Sequence, residues 1–315
     1  MIAPALSLAR AVRVAGRPAR RNADVKADTI SQRPAAILSS RKARAIAAFA
    51  LMLLAPAAPQ GQELDEVLAD LDTLPGAIVL AAADAPWTEL APGAMQLDLR
   101  LEYAEHTHRL HAFTFDPARW RMRVAPAPEP GGFYVDRALG KKDGLAINGG
   151  YFDYRDTPAG RALVPTGLVV AGGDRLADYR GGSGVLFDTG RTVGIAWAKN
   201  RKLWSGAPEA LQVGPLLVDP GGKPGIRKPD GPRARRSAVC LTAEGEVAVV
   251  MMASAISLYD FARVLADMSP GGFACERAIN LDGGPSSQVY GRFEGAVVDV
   301  PGMSRVVNAV VFEPR

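Results

Sequence analysis

Four stretches of this 315-residue chain hold side chains whose types and spacing suit catalysis or ligand binding. In the first, Asn148-Gly149-Gly150-Tyr151-Phe152-Asp153 follows the apolar run Leu145-Ala146-Ile147. A strand that ends on a polar side chain and two glycines lets the backbone come close to a ligand. Asn148 brings both a donor and an acceptor. Taken alone the tripeptide also reads as a hairpin turn, for which Asn-Gly is a strong signal. The second stretch, Asn280-Leu281-Asp282-Gly283-Gly284-Pro285-Ser286-Ser287, has the same layout. Here the strand delivers a carboxylate, followed by two glycines and two hydroxyls. Asp282 suits a catalytic base or a metal ligand. A turn aspartate held by local N–H groups is the plain alternative.

The third stretch, Leu211-Gln212-Val213-Gly214-Pro215, sets an amide before a Gly-Pro bend. The fourth carries Arg233, Arg235 and Arg236 into the run Ser237–Leu241. A guanidinium on a strand can hold a phosphate through paired hydrogen bonds. Arg236, beside Ala238 and Val239, fits that role best, whereas Arg233 and Arg235 fit a solvated turn. His106, His108 and His111 lie within six residues. The first two share a strand face, but no third ligand is near, so no metal site is expected from them.

The elements that must position these loops are mostly strands. Leu97, Leu99 and Leu101 alternate with Asp98, Arg100 and Glu102, the period of a half-buried strand. Short β-like runs recur from there to the C-terminus: 110–115, 121–126, 145–148, 166–171, 184–187, 193–198, 211–218, 236–242, 247–252, 278–281 and 306–312. One helix interrupts them. Ser257 and Asp260 form an acidic variant of the capping box, Leu258, Phe261, Ala262 and Leu265 share a face, and Ser269-Pro270-Gly271-Gly272 ends it. The fold class expected is α+β: strand-rich, mostly antiparallel, with few helices, in a single catalytic domain over 93–315.

The N-terminal 60 residues read as an extension with an export signal. Residues 1–44 hold ten Lys or Arg against two acids, which leaves 27 bases and 31 acids for the rest. The positive charge therefore sits in the leader, and a nucleic-acid partner, which needs cationic surface on the domain itself, is excluded. Arg41, Lys42 and Arg44 precede the apolar run Ala45–Leu54, with Ala55 and Ala57 as a small-residue cleavage signature. That run falls short of the about 20 residues of a membrane span. A cleaved signal, no stable membrane insertion and a periplasmic or secreted location are expected. Residues 61–92 read as a linker with a short amphipathic helix at 62–72. Cys240 and Cys275 match no zinc spacing and are read either as one disulfide or as two buried thiols.

The order of the segments narrows the reading further. INGGYFD, PTGLVVAGG (Pro165–Gly173), LQVGPLLV, RARRSAV, AISLYDFARVL, NLDGGPSS and RVVNAVVF (Arg305–Phe312) together resemble the phosphodiester glycosidase family, of the uncovering-enzyme type. The resemblance covers about residues 95–313. It departs from the usual pattern at Pro285, where a glycine is common, and at Ser237, where threonine is common. It implies an exported hydrolase that cleaves the glycosidic bond of a sugar-1-phosphodiester in an envelope or exopolysaccharide glycan, without a cofactor. The catalytic residues implied are Asp282, Arg236 and Asn148. Those implied to bind substrate are Gly149, Gly150, Tyr151, Gln212, Gly214, Gly283, Gly284, Ser286 and Ser287. Two alternatives stay open on the residues alone: a non-catalytic glycan-binding module, and a metal-dependent phosphodiesterase. A single Ca²⁺ at Asp282 also stays open.

Overall fold

In the computed structural model, which describes residues 79–80 and 87–315 except 104, 159, 230 and 269–272, every strand pairing is antiparallel. The export signal, the 62–72 helix and the Ser269–Gly272 stop lie outside the described residues. The strands form a nine-stranded sheet, two five-stranded sheets and one two-stranded ribbon. The described α-helices are Asp136–Leu139 and Leu258–Ala266. The strand-rich α+β class expected from the alternation is what is found.

The large sheet shows how the pattern works. In Ala94–Tyr103 the leucines at 97, 99 and 101 are buried, and Asp98, Arg100 and Glu102 face solvent. This strand pairs along its whole length with His106–Phe115, which pairs with Val247–Ile256, which pairs with Ala234–Thr242. The central strands are apolar on both faces because the sheet is covered on both sides. One face meets the helix, through Phe261, Ala262, Val264 and Leu265; the other meets the strands of the smaller sheets. Ser257 caps the helix as its sequence predicts: its hydroxyl accepts from Asp260 N at 3.0 Å and donates to Asp260 Oδ2 at 2.8 Å. Such a cap contributes about 1 kcal/mol.

Cys240 and Cys275 are joined in a disulfide across neighbouring strands, which settles the choice left by the sequence. Two carboxylates tie the five-stranded sheets together. Asp188 accepts from Met122 N at 3.0 Å and Glu209 from Val124 N at 2.8 Å. Both serve backbone donors on the free edge of Trp120–Pro126, which would otherwise be left unpaired.

The histidines separate. His111 bonds Asp98 at 2.6 Å, His106 is exposed, and His108 is buried at 1% exposure. Among the described residues no group of three metal-binding side chains occurs. Neither ring nitrogen of His108 finds a well-formed hydrogen bond. Burial, followed by the charge of Arg233, lowers its pKa, and the nearby Tyr103 backbone offsets part of this. The unfolded chain therefore takes up this proton more readily than the folded one. The stability it lends is complete above the unfolded value of about 6.5 and declines as pH falls below it. His108→Leu is expected to flatten the loss of Tm between pH 7 and pH 5 in thermal melts. An unchanged slope would assign that loss to other groups.

Candidate active site

The four stretches meet where strand ends of different sheets come together. Asn148 closes Gly144–Asn148 in one five-stranded sheet, and its side chain is wholly buried. Its Nδ2 donates to Asp282 O at 2.7 Å, and its Oδ1 accepts from Ser237 Oγ at 2.8 Å and Gln288 N at 3.2 Å. One amide thus pins the Asp282 loop, the Arg236 strand and the segment after Ser287 to each other. Gly149 and Gly150 continue this seam. Gly149 N donates to Asn308 O at 3.0 Å, Gly149 O accepts from Asp282 N at 3.0 Å, and Gly150 N donates to Asn308 Oδ1 at 2.7 Å. A Cβ on Gly149 would fall 2.0 Å from Asn308 Oδ1. The glycine is needed for this close approach. Gly149→Ala is expected to cost about 1–3 kcal/mol, from forced displacement of Asn308, read as a lower denaturant midpoint. A midpoint within error of the parent would show that Asn308 moves freely.

Asp282 carries its carboxylate on the bend after Cys275–Asn280. Its Oδ1 accepts from Gly283 N at 2.8 Å. Burial raises its pKa above the ordinary value of 3.8, while hydrogen bonds from Ser286 and from Gly283 N pull it partly back. Gly284 has φ of 61°, which turns the chain into the short 3-10 segment Gly284–Ser286. Pro285 keeps the loop anchored through its carbonyl, which accepts from Met303 N and Ser304 N at 2.8 and 3.0 Å. Proline in this place removes a donor and leaves the acceptor. Ser286 is 5% exposed and Ser287 is fully buried, with no partner for Ser287 Oγ. Neither hydroxyl faces open solvent.

Arg236 reaches the same loop from Ala234–Thr242. A Cβ on Gly283 would sit 3.4 Å from its Nη1. Nε donates to Ile256 O at 3.2 Å and Nη2 to Pro232 O at 2.5 Å. Among the described residues no carboxylate pairs with it. Desolvation lowers its pKa, opposed by Tyr151, and a guanidinium stays charged under such shifts. Nε and one N–H of Nη2 serve backbone carbonyls, which leaves the two N–H groups of Nη1 and the second of Nη2 without a hydrogen-bond partner among the described residues. Arg235 departs from the solvated turn expected of it: Nη1 donates to Pro301 O at 2.9 Å, and its Nε is buried without a partner.

Tyr151 closes the site on a third side. Its hydroxyl donates to Gly214 O and accepts from Asn280 Nδ2 at 2.7 Å. Burial, chiefly, pushes its pKa up to about 12. It is therefore a neutral phenol across the ordinary range. Gly214 has φ of 141° and leads into a cis Gly214–Pro215 bond; a Cβ there would meet Ser183 Oγ at 2.0 Å. Gln212 stands one layer out. Its Oε1 accepts from Leu168 N at 3.1 Å and Arg180 N at 3.0 Å, and its Nε2 donates to Arg180 O. Its side chain shapes neighbouring loops, and only its backbone carbonyl comes near Gly150.

The structure therefore brings Asn148, Gly149, Gly150, Tyr151, Gly214, Asp282, Gly283, Gly284 and Ser286 together, with Arg236 against the loop at Gly283. It puts the Gln212 amide outside this group and buries Ser287 beneath it. Sequence reasoning did not single out Asn280, Asn308, Ser237 or Gln288. All four are buried polar side chains: Asn280 and Asn308 end strands, Ser237 lies within Ala234–Thr242, and Gln288 just precedes Val289–Phe293. A polar residue breaking an apolar strand, as in Ile279-Asn280-Leu281 and Val307-Asn308-Ala309, was the available signal.

Solved structures share this arrangement of strands. A hypothetical protein from Synechocystis matches with a TM-score of 0.52 at 16% identity, over 74% of this chain and 64% of that one. The catalytic domain of zebrafish N-acetylglucosamine-1-phosphodiester alpha-N-acetylglucosaminidase, auto-inhibited by its pro-peptide, matches with a TM-score of 0.53 at 16% identity, over 76% and 88%. Likeness at this identity carries the fold. No curated protein matches the chain by sequence. The family comes from the sequence profile: residues 142–313, more than half the chain, match the phosphodiester glycosidase family, and the chain belongs to it.

Proposed function

We propose that the protein hydrolyses the glycosidic bond of a sugar-1-phosphodiester, with Asp282 at the anomeric carbon and Arg236 at the phosphate. The observation that supports this most is a half-buried carboxylate of raised pKa on the Asp282–Gly284 loop, with a guanidinium that has no carboxylate partner among the described residues reaching that loop at Gly283 from the strand Ala234–Thr242.

The leaving group in this reaction is a phosphate monoester, already a weak base. It needs little protonation, unlike the alkoxide that the two-carboxylate glycosidases must protonate. One carboxylate to activate water, or to stabilise the oxocarbenium-like carbon, is then sufficient alongside a cation for the departing phosphate. Water adds to C1 and loses its proton to Asp282; the C1–O bond breaks with its electron pair going to the phosphate oxygen. Arg236 Nη1 takes up the charge on that oxygen. Asn148 acts by holding the Asp282 loop against the Arg236 strand, and Gln212 by holding the loops around it. Tyr151 offers a fixed aromatic wall, 37% exposed, for the sugar.

Export to the periplasm or outside the cell is part of this reading. It is supported by the basic-apolar-small pattern of residues 41–57 and by the Cys240–Cys275 disulfide, which persists in oxidising compartments. The direct test is incubation with an α- or β-anomeric sugar-1-phosphodiester. The products expected are free sugar and an intact phosphate monoester. Saturable binding without product would instead make the protein a binding module.

A further inference from the structure

Residues 227–236 hold five cations, Arg227, Lys228, Arg233, Arg235 and Arg236, against the single acid Asp230. The chain after residue 44 is acidic as a whole, with 27 bases and 31 acids. Arg227, Lys228 and Arg233 are exposed, and Arg235 is partly buried. Among the described residues none of the five forms an ion pair with a carboxylate. Asp260, whose charge acts on His108 together with that of Arg233, is held instead by the Ser257 hydroxyl at 2.8 Å. Like charges crowded into so short a segment repel one another, and the fold supplies no counter-charge for them.

We propose that this basic loop is the leaving-group side of the substrate site, and that the group beyond the scissile phosphate is a polyanion carrying further phosphate or carboxylate charges. The inference rests on the reading of Asp282 and Arg236 given above. Arg236 itself links the loop to the site: Nη1 lies against Gly283, and Nη2 donates to Pro232 O at 2.5 Å. Arg233 follows Pro232 directly, and its Nη2 lies 3.5 Å from Ala255 O. A phosphate held by Arg236 therefore has the loop beside it, and a leaving group that extends from that phosphate along Pro232 meets Arg233 next.

The loop's composition sets the class of leaving group. A neutral alcohol would leave the cations uncompensated, and an acyl chain would press hydrocarbon against charged side chains. Pro229, Gly231 and Pro232, exposed between Lys228 and Arg233, offer no long apolar side chain to receive one. Exposed Arg and Lys side chains are flexible, so they suit a run of anionic groups better than one fixed compound. Screening limits each such charge to about 8 Å at physiological salt, so the loop acts on what lies next to it. Arg235 borders the same strand end, where Nη1 donates to Pro301 O at 2.9 Å.

The test titrates poly(glycerol phosphate), polygalacturonate and neutral dextran into the full chain carrying Asp282→Asn, followed by calorimetry. Saturable binding of at least one of the two polyanions and none of dextran is expected, weakening as salt is raised; the preferred polyanion tells phosphate from carboxylate. Adding Arg227→Gln, Lys228→Gln and Arg233→Gln together is expected to weaken binding by about tenfold or more. These positions are exposed, so the fold is retained. The matched control is Lys141→Gln, Lys142→Gln and Arg191→Gln, the same loss of charge at strand ends away from Asn148 and Gly214, and it is expected to leave binding within about twofold. In the active parent the bound polyanion is expected to raise KM for a sugar-1-phosphodiester with kcat unchanged. No polyanion binding, equal weakening in the control, or binding that leaves KM unchanged would overturn the proposal. So would tighter binding of phosphatidylglycerol vesicles than of either polymer, which would make the loop a membrane-docking surface. Because binding is read in a variant disabled for hydrolysis, failure of the loop and failure of the catalytic assignment give different results.

Discussion

Asp282→Asn is expected to lower kcat/KM on a sugar-1-phosphodiester by about 10²–10⁴-fold, the range of a positioned acid–base group. The substitution keeps the shape of the side chain and an oxygen for the Gly283 N–H, so the loop is retained. What it removes is the charge. The raised pKa of Asp282 adds two checks. In the parent enzyme the acid limb of kcat/KM is expected above the ordinary aspartate value, because the carboxylate must lose its proton to act. In stability the sign is opposite. A folded-state pKa above the unfolded one means that stability is lost as pH rises through the interval between them. The asparagine variant, freed of a buried charge, is expected to melt no lower than the parent at pH 7. Activity retained, or a strongly lowered Tm, would move Asp282 from chemistry to structure.

Arg236→Lys is expected to cut turnover of the same substrate by about 10²–10³-fold, the loss seen when one donor to a developing oxyanion is removed. Lysine is a point charge on a flexible stem. It cannot serve Ile256 O and Pro232 O and still present an edge to the loop at Gly283. The control is an aryl glycoside of the same sugar that lacks phosphate. A small loss there beside a large one on the phosphodiester assigns Arg236 to the phosphate. Equal losses on both would make it a structural clamp between Pro232 and Ile256.

The sequence read the fold best where one face of a strand is wet. The alternation over 97–102 and the Ser257 cap are local signals, and both appear as expected. The ribbon Phe152–Thr157 and Gly160–Pro165 went unseen because half of its residues are exposed and all the rest but Ala162 are only partly buried, so no burial period marks it. The run 211–218 read as one strand is two, since the chain passes at Gly214-Pro215 from a five-stranded sheet to the nine-stranded one. Thr166–Ala171 shortens to Val169–Ala171 because Gln212 and Tyr151 take up the backbone donors of the residues before it.

The site was legible as a set of loops and less so as a set of roles. Asn148 and Gln212 looked like ligands for a substrate because they end apolar strands. In the folded chain their amides are taken up by Asp282 O, Ser237, Leu168 and Arg180. No local pattern reveals that, because the partners lie far away in sequence. The polar breaks at Asn280 and Asn308 hold the seam just as firmly, and only long-range pairing shows why.

The most direct test of the central claim is the fate of oxygen from labelled water. With the parent protein and a sugar-1-phosphodiester in ¹⁸O-water, hydrolysis by Asp282 at the anomeric carbon puts the label in the released sugar and none in the phosphate monoester. Label in the phosphate, with unlabelled sugar, would show cleavage at phosphorus and contradict the assignment of both Asp282 and Arg236.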